Sequence, residues 1–268
     1  MSDRAVSPRR VWAMVLRNLY LIRSSWPRVI EMAYWPIVQM IMWGFITRFF
    51  LQHSDWLVQA SGALIAAVLL WDTLFRSNLG VAVSFLEEMW SRNLGQLFVS
   101  PIRPHEFLLG LACMSIVRTL VGVLPAMLLA IPLYDYSIFA MGLPFIAFFT
   151  NVMVMGWAVG LVIAGTILRF GLGAESLAWL AIFGLAPLSG VYYPIDTLPV
   201  WLQPISLALP SSHVFEGMRT ILFEGVFDTG HFWSAVGLNG LYLALAALFF
   251  LQMLKTARRR GLLLDVGE

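Results

Sequence analysis

The chain has 268 residues, of which 60% are hydrophobic, 14% aromatic and only 12% charged, with a formal net charge of +2. A soluble domain carries roughly 25% charged residues and about 45–50% apolar ones, and the mean hydropathy of +0.81 also points away from one. A soluble enzyme, a nucleic-acid binder and a disordered chain are excluded, which leaves an integral membrane protein; the single cysteine, Cys113, excludes an internal disulfide framework.

Residues 1–28 open the chain with arginines. Val11, Trp12, Val15, Leu16, Leu19 and Ile22 share one helical face opposed by those arginines, which predicts an amphipathic helix lying in the inner interface. Arg17 and Arg23 interrupt the apolar residues and no small-residue cleavage site follows, so the stretch does not read as a secretory signal. A membrane span needs about 20 mostly apolar residues to cross a hydrocarbon core of about 30 Å. The first charge-poor stretch of that kind runs from Val29 to Leu51, interrupted by Pro36 and Arg48. The second, Trp56 to Leu79, carries Asp72 and Arg76 in its later part, and the third, Phe107 to Leu133, carries Arg118. Tyr136 to Leu168 gives a fourth, Ser176 to Ile195 a fifth and His231 to Leu254 a sixth.

Pro199, Pro204 and Pro210 interrupt the uncharged run from Thr197 to Phe215. Proline breaks a helix interior, and non-helical backbone at membrane depth is tolerated only where protein or a water cavity covers it. Pro194 to Asp228 is therefore expected to form short, broken helices dipping into the outer leaflet. Its second piece, Ser212 to Phe223, has a helical stripe at Val214, Met218, Ile221 and Leu222, with Ser211 or Ser212 as cap. The expected architecture is an all-α membrane protein. Its six-span domain covers residues 29–254, with a cytoplasmic loop at 87–104, an outer re-entrant segment at 194–228 and a cytoplasmic tail at 255–268.

Basic residues set the orientation. With the N-terminus inside, Arg4, Arg9, Arg10, Arg17, Arg23, Arg28, Arg76, Arg92, Arg103, Arg169, Lys255, Arg258, Arg259 and Arg260 fall on the cytoplasmic side, against Arg48 and Arg219 outside. Both termini are expected in the cytoplasm.

Catalytic signatures are sparse. His53, His105, His213 and His231 form neither H-E-x-x-H nor a Cys/His cluster, and His105 beside Glu106 reads as a solvated loop pair. Lys255-Thr256 lacks the glycines of a phosphate-cradling loop, with Phe249 and Leu254 in their place. Energy must then come from another subunit. An intramembrane lipid-modifying enzyme, which needs a convergent polar constellation, is the competing class.

Charges inside spans cost about 2.5–3.5 kcal/mol each on insertion scales and are functional candidates by default. Asp72 and Arg76 are four apart and share a helix face. They are expected to form one charge cluster with Arg118, or else Arg76 snorkels to the headgroups and Asp72 pairs with Arg118 alone. Gly156, Gly160 and Ala164 have small-xxx-small spacing, which admits close helix approach within the bundle or between copies. Trp43 is too central for an interfacial belt and is a candidate for the substrate path. In the loop, Trp90, Leu94, Leu97 and Phe98 share a helical face that Ser100-Pro101 ends. Such a helix either rests on the membrane or plugs a groove on a cytoplasmic partner.

Two stretches resemble the permease subunits of type-2 ATP-binding-cassette exporters. R-N-L-G-Q-L-F-V-S-P-I-R-P-H-E-F-L-L-G, Arg92 to Gly110, is similar to the family's loop between the second and third spans. P-L-S-G-V-Y-Y-P-I-D-T-L-P-V-W-L-Q-P-I-S-L-A-L-P-S-S-H-V-F-E-G-M-R, Pro187 to Arg219, resembles its signature at the fifth span and outer helices, most like the drug, lipid and lipo-oligosaccharide export branch. Many relatives carry an acidic residue where this chain has Gly95 and Gln96.

The resemblance implies a half-transporter of the bacterial inner membrane, pairing with a second copy of itself and with a separate nucleotide-binding ATPase subunit. ATP and Mg would be held by that partner, with no cofactor in this chain and no nucleic acid bound. Trp90, Arg92, Leu94, Leu97, Phe98 and Pro101 would couple to the ATPase. Tyr192, Tyr193, Pro194, Asp196, Pro199, His213, Glu216 and Arg219 would build the outer re-entrant segment or gate. The implied cargo is amphipathic, drug-like or lipid-like, with a lipid-linked polysaccharide or oligosaccharide as the alternative.

Overall fold

A computed structural model describes residues 6–260 except 24, 52–57, 92–99 and 175. The coupling candidates Arg92, Leu94, Leu97 and Phe98 lie outside the described residues, as do Gly95, Gln96 and His53. The described residues are all-helical: α1 (Pro8–Arg23), α2 (Trp26–Leu51), α3 (Val58–Trp90), α4 (Pro104–Tyr134), α5 (Leu143–Phe170), α6 (Ser176–Leu185), α7 (Gln203–Leu207), α8 (Pro210–Glu224) and α9 (Thr229–Arg260). Five of them, α2, α3, α4, α5 and α9, are long and apolar enough to cross a membrane.

Helix α3 is the centre of the bundle. It packs on α2, α4 and α5, while α5 in turn packs on α9. The apolar window of α3 is 78% buried, against 22% for those of α2 and α9, which form the periphery. The approach of α5 to α3 depends on missing side chains. A Cβ on Gly156 would sit 2.7 Å from the Leu74 carbonyl, and one on Gly160 2.8 Å from the Asn78 carbonyl. The small-residue row therefore serves a contact within the chain.

Two apolar cores flank this crossing. At the end where α3 stops and α4 starts, Phe85, Phe107 and Phe250 pack ring against ring with Ile167 and Leu254. At the other end, Leu70, Leu74, Val123, Phe148, Val152, Phe215 and Met218 fill the space beneath α8.

Several boundaries differ from expectation. The expected fifth span, Ser176 to Ile195, is helical only over the ten residues of α6. At 1.5 Å per residue that is about 15 Å, half of a hydrocarbon core. Pro187 and Gly190 (φ +63°) turn the chain instead. Conversely, α3 runs past Leu79 to Trp90, because Val81, Ala82, Phe85, Leu86 and Met89 continue its buried face. The expected uninterrupted stretch from Tyr136 is broken by a 3-10 turn at Ile138–Met141 and by Gly142 (φ +63°) ahead of Pro144.

Helix α1 docks on α4: of the expected face it buries Val15 and Ile22, together with Met14 and Asn18, and leaves Trp12 exposed. Met14 fills the notch left by Gly110. Helix α8 starts two residues early, on Pro210 with Leu209 as cap residue and no side-chain cap, so neither Ser211 nor Ser212 has the expected capping role.

Candidate functional site

The site begins with ion pairs where α1, α2, α3 and α4 meet. Glu106 is buried in the first turn of α4, not in a solvated loop pair with His105. Its Oε1 accepts the Ser7 N–H at 2.9 Å and lies 3.4 Å from Arg10 Nε, and its Oε2 accepts the Arg103 N–H at 3.0 Å. Arg10 also donates to the Pro101 carbonyl, and Arg17 donates to Glu88 at 2.9 Å. These contacts moor α1 to the junction of α3 and α4.

Glu87, one residue before Glu88, holds the next pair. Arg118 Nη2 donates to Glu87 Oε2 at 2.5 Å, and Arg28 Nη1 lies 3.3 Å from Glu87 Oε1. Arg118, expected to pair with Asp72, is held by this other carboxylate. One glutamate thus joins the start of α2 to the middle of α4 through the end of α3.

Above it opens a cavity of about 590 Å³ between α2, α3, α4 and α6. The structure brings Asp72, Arg76 and Arg118 into its lining, together with Arg28, Glu31 and Glu87. Phe75, Trp35, Trp90, Trp179 and Phe183 supply its apolar lining. Phe75 packs against Trp179 and Phe183, with centroids 5.6 and 6.3 Å apart, which fastens the short α6 over the cavity.

The charges in this cavity are not equally satisfied. Arg118 and Arg28 share Glu87, which leaves Nε of Arg118 without a partner, whereas both Nε and Nη2 of Arg76 and Oδ2 of Asp72 are buried without one. An unmade bond of that kind costs about 1–3 kcal/mol, and more for a charged group. The stem of Arg76 lies against α4 at Gly122, whose Cβ position is 3.5 Å from Arg76 Cδ and 2.9 Å from the Met32 carbonyl. Glycine is required there by close approach alone.

Trp43 of α2 stacks on Tyr192, with centroids 4.7 Å apart and planes inclined by 17°. The field of Asp72 reaches that tyrosine, so the stack lies just beyond the cavity's Asp72 end. Tyr193 donates to the Pro187 carbonyl at 2.6 Å and leaves its own carbonyl to Arg219.

The segment from Pro187 to Arg219 is knotted by its own polar side chains. Arg219 donates to the carbonyls of Gly190 and Tyr193, while Glu216 accepts the Ile195 N–H at 2.8 Å and lies 3.3 Å from Arg219. Ser206 and Ser212 both donate to the Leu188 carbonyl, and Ser211 donates to Ser189 at 2.8 Å. The turn 187–195 and helices α7 and α8 are thereby cross-linked without any regular span. Pro194 starts the Ile195–Thr197 turn, Asp196 and Pro199 are exposed beside it, and Asp196 adds to the field at Arg219.

His213 connects this knot to α9. Its Nε2 meets the Leu207 carbonyl at 2.9 Å, so that nitrogen carries the proton, and its Nδ1 faces His231 Nδ1 at 2.9 Å. Burial pushes His213 below its ordinary value and so keeps it neutral. Its Nδ1 is then the acceptor, and His231 donates. Asp228 lies 4.0 Å from the far nitrogen of His231, and its bond from the His231 N–H holds its carboxyl below the usual range.

Sequence reasoning missed Glu31, Glu87, Glu88 and Glu106 as site residues. One signal was available: arginines crowd this end of the chain, and these four acids are the nearby carboxylates able to answer them.

Residues 9–223 match the model of the family described as ABC-2 type transporter. The chain is also similar to ABC transporter G family member 20 of Dictyostelium discoideum, with 28% identity over 147 residues, 54% of this chain. The chain spans about a fifth of that protein's length, 20%.

Proposed function

Since the chain belongs to the ABC-2 type transporter family and is a membrane permease component of such a transporter, we propose that it lines the path of an ATP-driven exporter for amphipathic, drug-like or lipid-like molecules. The observation that carries this reading is the cavity of about 590 Å³, whose lining combines acidic and basic side chains with exposed aromatic rings. Small-molecule sites fall in the range of about 300–1,000 Å³ and combine apolar lining with a few placed polar groups. An amphiphile presents the same two chemistries.

In this reading two copies of the chain pair, and a separate ATPase docks on the segment between α3 and α4. Three observations support that docking place. Trp90 ends α3 exposed, Pro101 is exposed on the far side of the segment, and the ion pairs of Glu87, Glu88 and Glu106 tie its two flanks to α1, α2 and α4. The path runs from the inner face, past Asp72 and Arg76, to the Trp43–Tyr192 stack, which with the knotted segment closes the outer end. The membrane is the bacterial inner membrane and both termini are cytoplasmic.

The test is co-purification followed by turnover. The tagged chain should bring down an ATPase whose hydrolysis rises with amphiphiles, and changing Leu97 and Phe98 to Ala should release that ATPase while the chain stays folded. Retention of the ATPase by that variant overturns the docking assignment. Hydrolysis that no amphiphile stimulates overturns the cargo class.

A further inference from the structure

We propose that Asp72 and Arg76 form the head-group site of this cavity, and that the site selects a zwitterionic amphiphile whose cationic and anionic groups lie about one helical turn apart. The inference rests on the cavity being an amphiphile path and adds the chemistry of the cargo.

The two side chains are four residues apart on α3, about 6 Å along the axis at 1.5 Å per residue. Both line the cavity. Among the described residues they carry three of the four charged-group atoms of the cavity that are buried without a partner; the fourth is Nε of Arg118, whose Nη2 is engaged by Glu87, as Arg28 is. Nε and Nη2 of Arg76, the two atoms without a partner, form one edge of the guanidinium. That edge is the fork that binds a carboxylate or phosphate through two parallel bonds. A phosphate or carboxylate group entering the cavity gives those donors the acceptor they lack.

Asp72 offers the complementary half. Its Oδ2 has no donor, and aromatic rings, the groups that bind cations, line the same cavity. Phe75 lines the same cavity, and Tyr192, stacked on Trp43, lies within reach of the Asp72 field. A carboxylate beside aromatic faces recognises an alkylammonium group. The rings of Trp179 and Phe183, largely exposed along the cavity, provide surface for the tail.

Charge balance separates the candidate classes. Asp72 and Arg76 sum to zero. A dipolar head group answers both and leaves no net charge in a low-dielectric site, whereas a singly charged head group leaves one side chain uncompensated, which is costly. Glu31 is the other carboxylate whose field reaches Arg76, but it is exposed and therefore screened.

The experiment uses the full chain in maltoside micelles and reads quenching of tryptophan emission. The quenchers are three amphiphiles with one bromododecyl tail and a phosphocholine, a phosphate or a trimethylammonium head. Loss of quenching in Trp179→Phe assigns the signal to the cavity. Wild type should bind the phosphocholine compound about tenfold more tightly than either other, the factor one charged hydrogen bond supplies. Arg76→Gln should move the preference to trimethylammonium and Asp72→Asn should move it to phosphate, a pair of opposite shifts that misfolding cannot produce. Equal binding of all three heads, a wild-type preference for a singly charged head, or a preference unmoved in either variant overturns the head-group assignment and leaves the cavity as an amphiphile path. Absence of cavity quenching by all three overturns both.

Discussion

The pairing of Arg118 can be decided by a double-mutant cycle. Glu87→Gln removes the charge that Arg118 meets at 2.5 Å, with the two side chains 9% and 13% exposed. Breaking a buried pair by deleting one partner costs about 3–5 kcal/mol, because the remaining charge is stranded. The second arginine on Glu87, Arg28, has a side chain 41% exposed and adds at most about 1 kcal/mol. The expected loss is therefore about 4 kcal/mol, on the order of 10 °C in melting temperature for a chain of this size. Arg118→Met leaves Glu87 still bound to Arg28 and should cost less. The double variant should be no less stable than Glu87→Gln alone, giving a coupling of about 2 kcal/mol or more. Thermal unfolding in maltoside micelles, followed by tryptophan emission, provides the measurement. Additive losses in this cycle, or a larger coupling in the parallel cycle of Asp72→Asn with Arg118→Met, refute the assignment of Arg118 to Glu87.

Two further outcomes follow from local geometry. Gly156→Val should destabilise the fold by about 1–3 kcal/mol through overpacking against α3, whereas Gly237→Ala, with nothing within 4 Å of its added carbon, should not lower the melting temperature; equal losses refute the close-approach role of Gly156. The contact between α8 and α9 should loosen in acid. His213 has its folded value lowered by burial, so below its unfolded value of about 6.5 the unfolded chain binds more protons and stability falls with pH. The lowered Asp228 acts in the same direction further down, as pH drops through the carboxylate range. Hydrogen exchange over residues 210–232 should accelerate between about pH 7.5 and 5.5 after correction for intrinsic rates, and His213→Gln should remove the His-dependent part of that change; protection independent of pH in the wild type refutes it.

How much of this was legible depended on the range over which each feature is determined. Long apolar helices are decided by their own composition, so α2, α3, α4, α5 and α9 could be placed from the sequence, with shifted ends. The brevity of α6 could not. Ser176 to Ile195 is uncharged and long enough to span, and what bends it is a set of bonds to distant residues. Arg219 takes the carbonyls of Gly190 and Tyr193, Glu216 takes the Ile195 N–H, and Ser206 and Ser212 take the Leu188 carbonyl. The motif Pro187 to Arg219 was conspicuous in the sequence, but its physical reason is this mutual satisfaction of backbone groups, visible only when both ends meet.

The charges divide along the same line. The rule that intramembrane ions are costly singled out Asp72, Arg76 and Arg118, and all three line one cavity. The rule does not say who answers whom. Glu87 is 31 residues from Arg118 in the chain, and the pair exists because α3 and α4 fold back on each other. Glu31 passed unnoticed inside a stretch read as charge-poor.

The result is two tiers with different physics. Arg28 and Arg118 both pair with Glu87, three residues or about 4.5 Å before α3 ends at Trp90. Any displacement of that helix end must stretch contacts with both α2 and α4. Asp72 and Arg76 hold unsatisfied atoms and so gain most from a ligand. Loss of Glu87 should therefore appear in stability while head-group preference persists, and changes at Asp72 or Arg76 should reverse that pattern. A chain in which both tiers moved both readouts equally would have one shared charge network, and the division between a joint that holds helices and a site that binds cargo would be wrong.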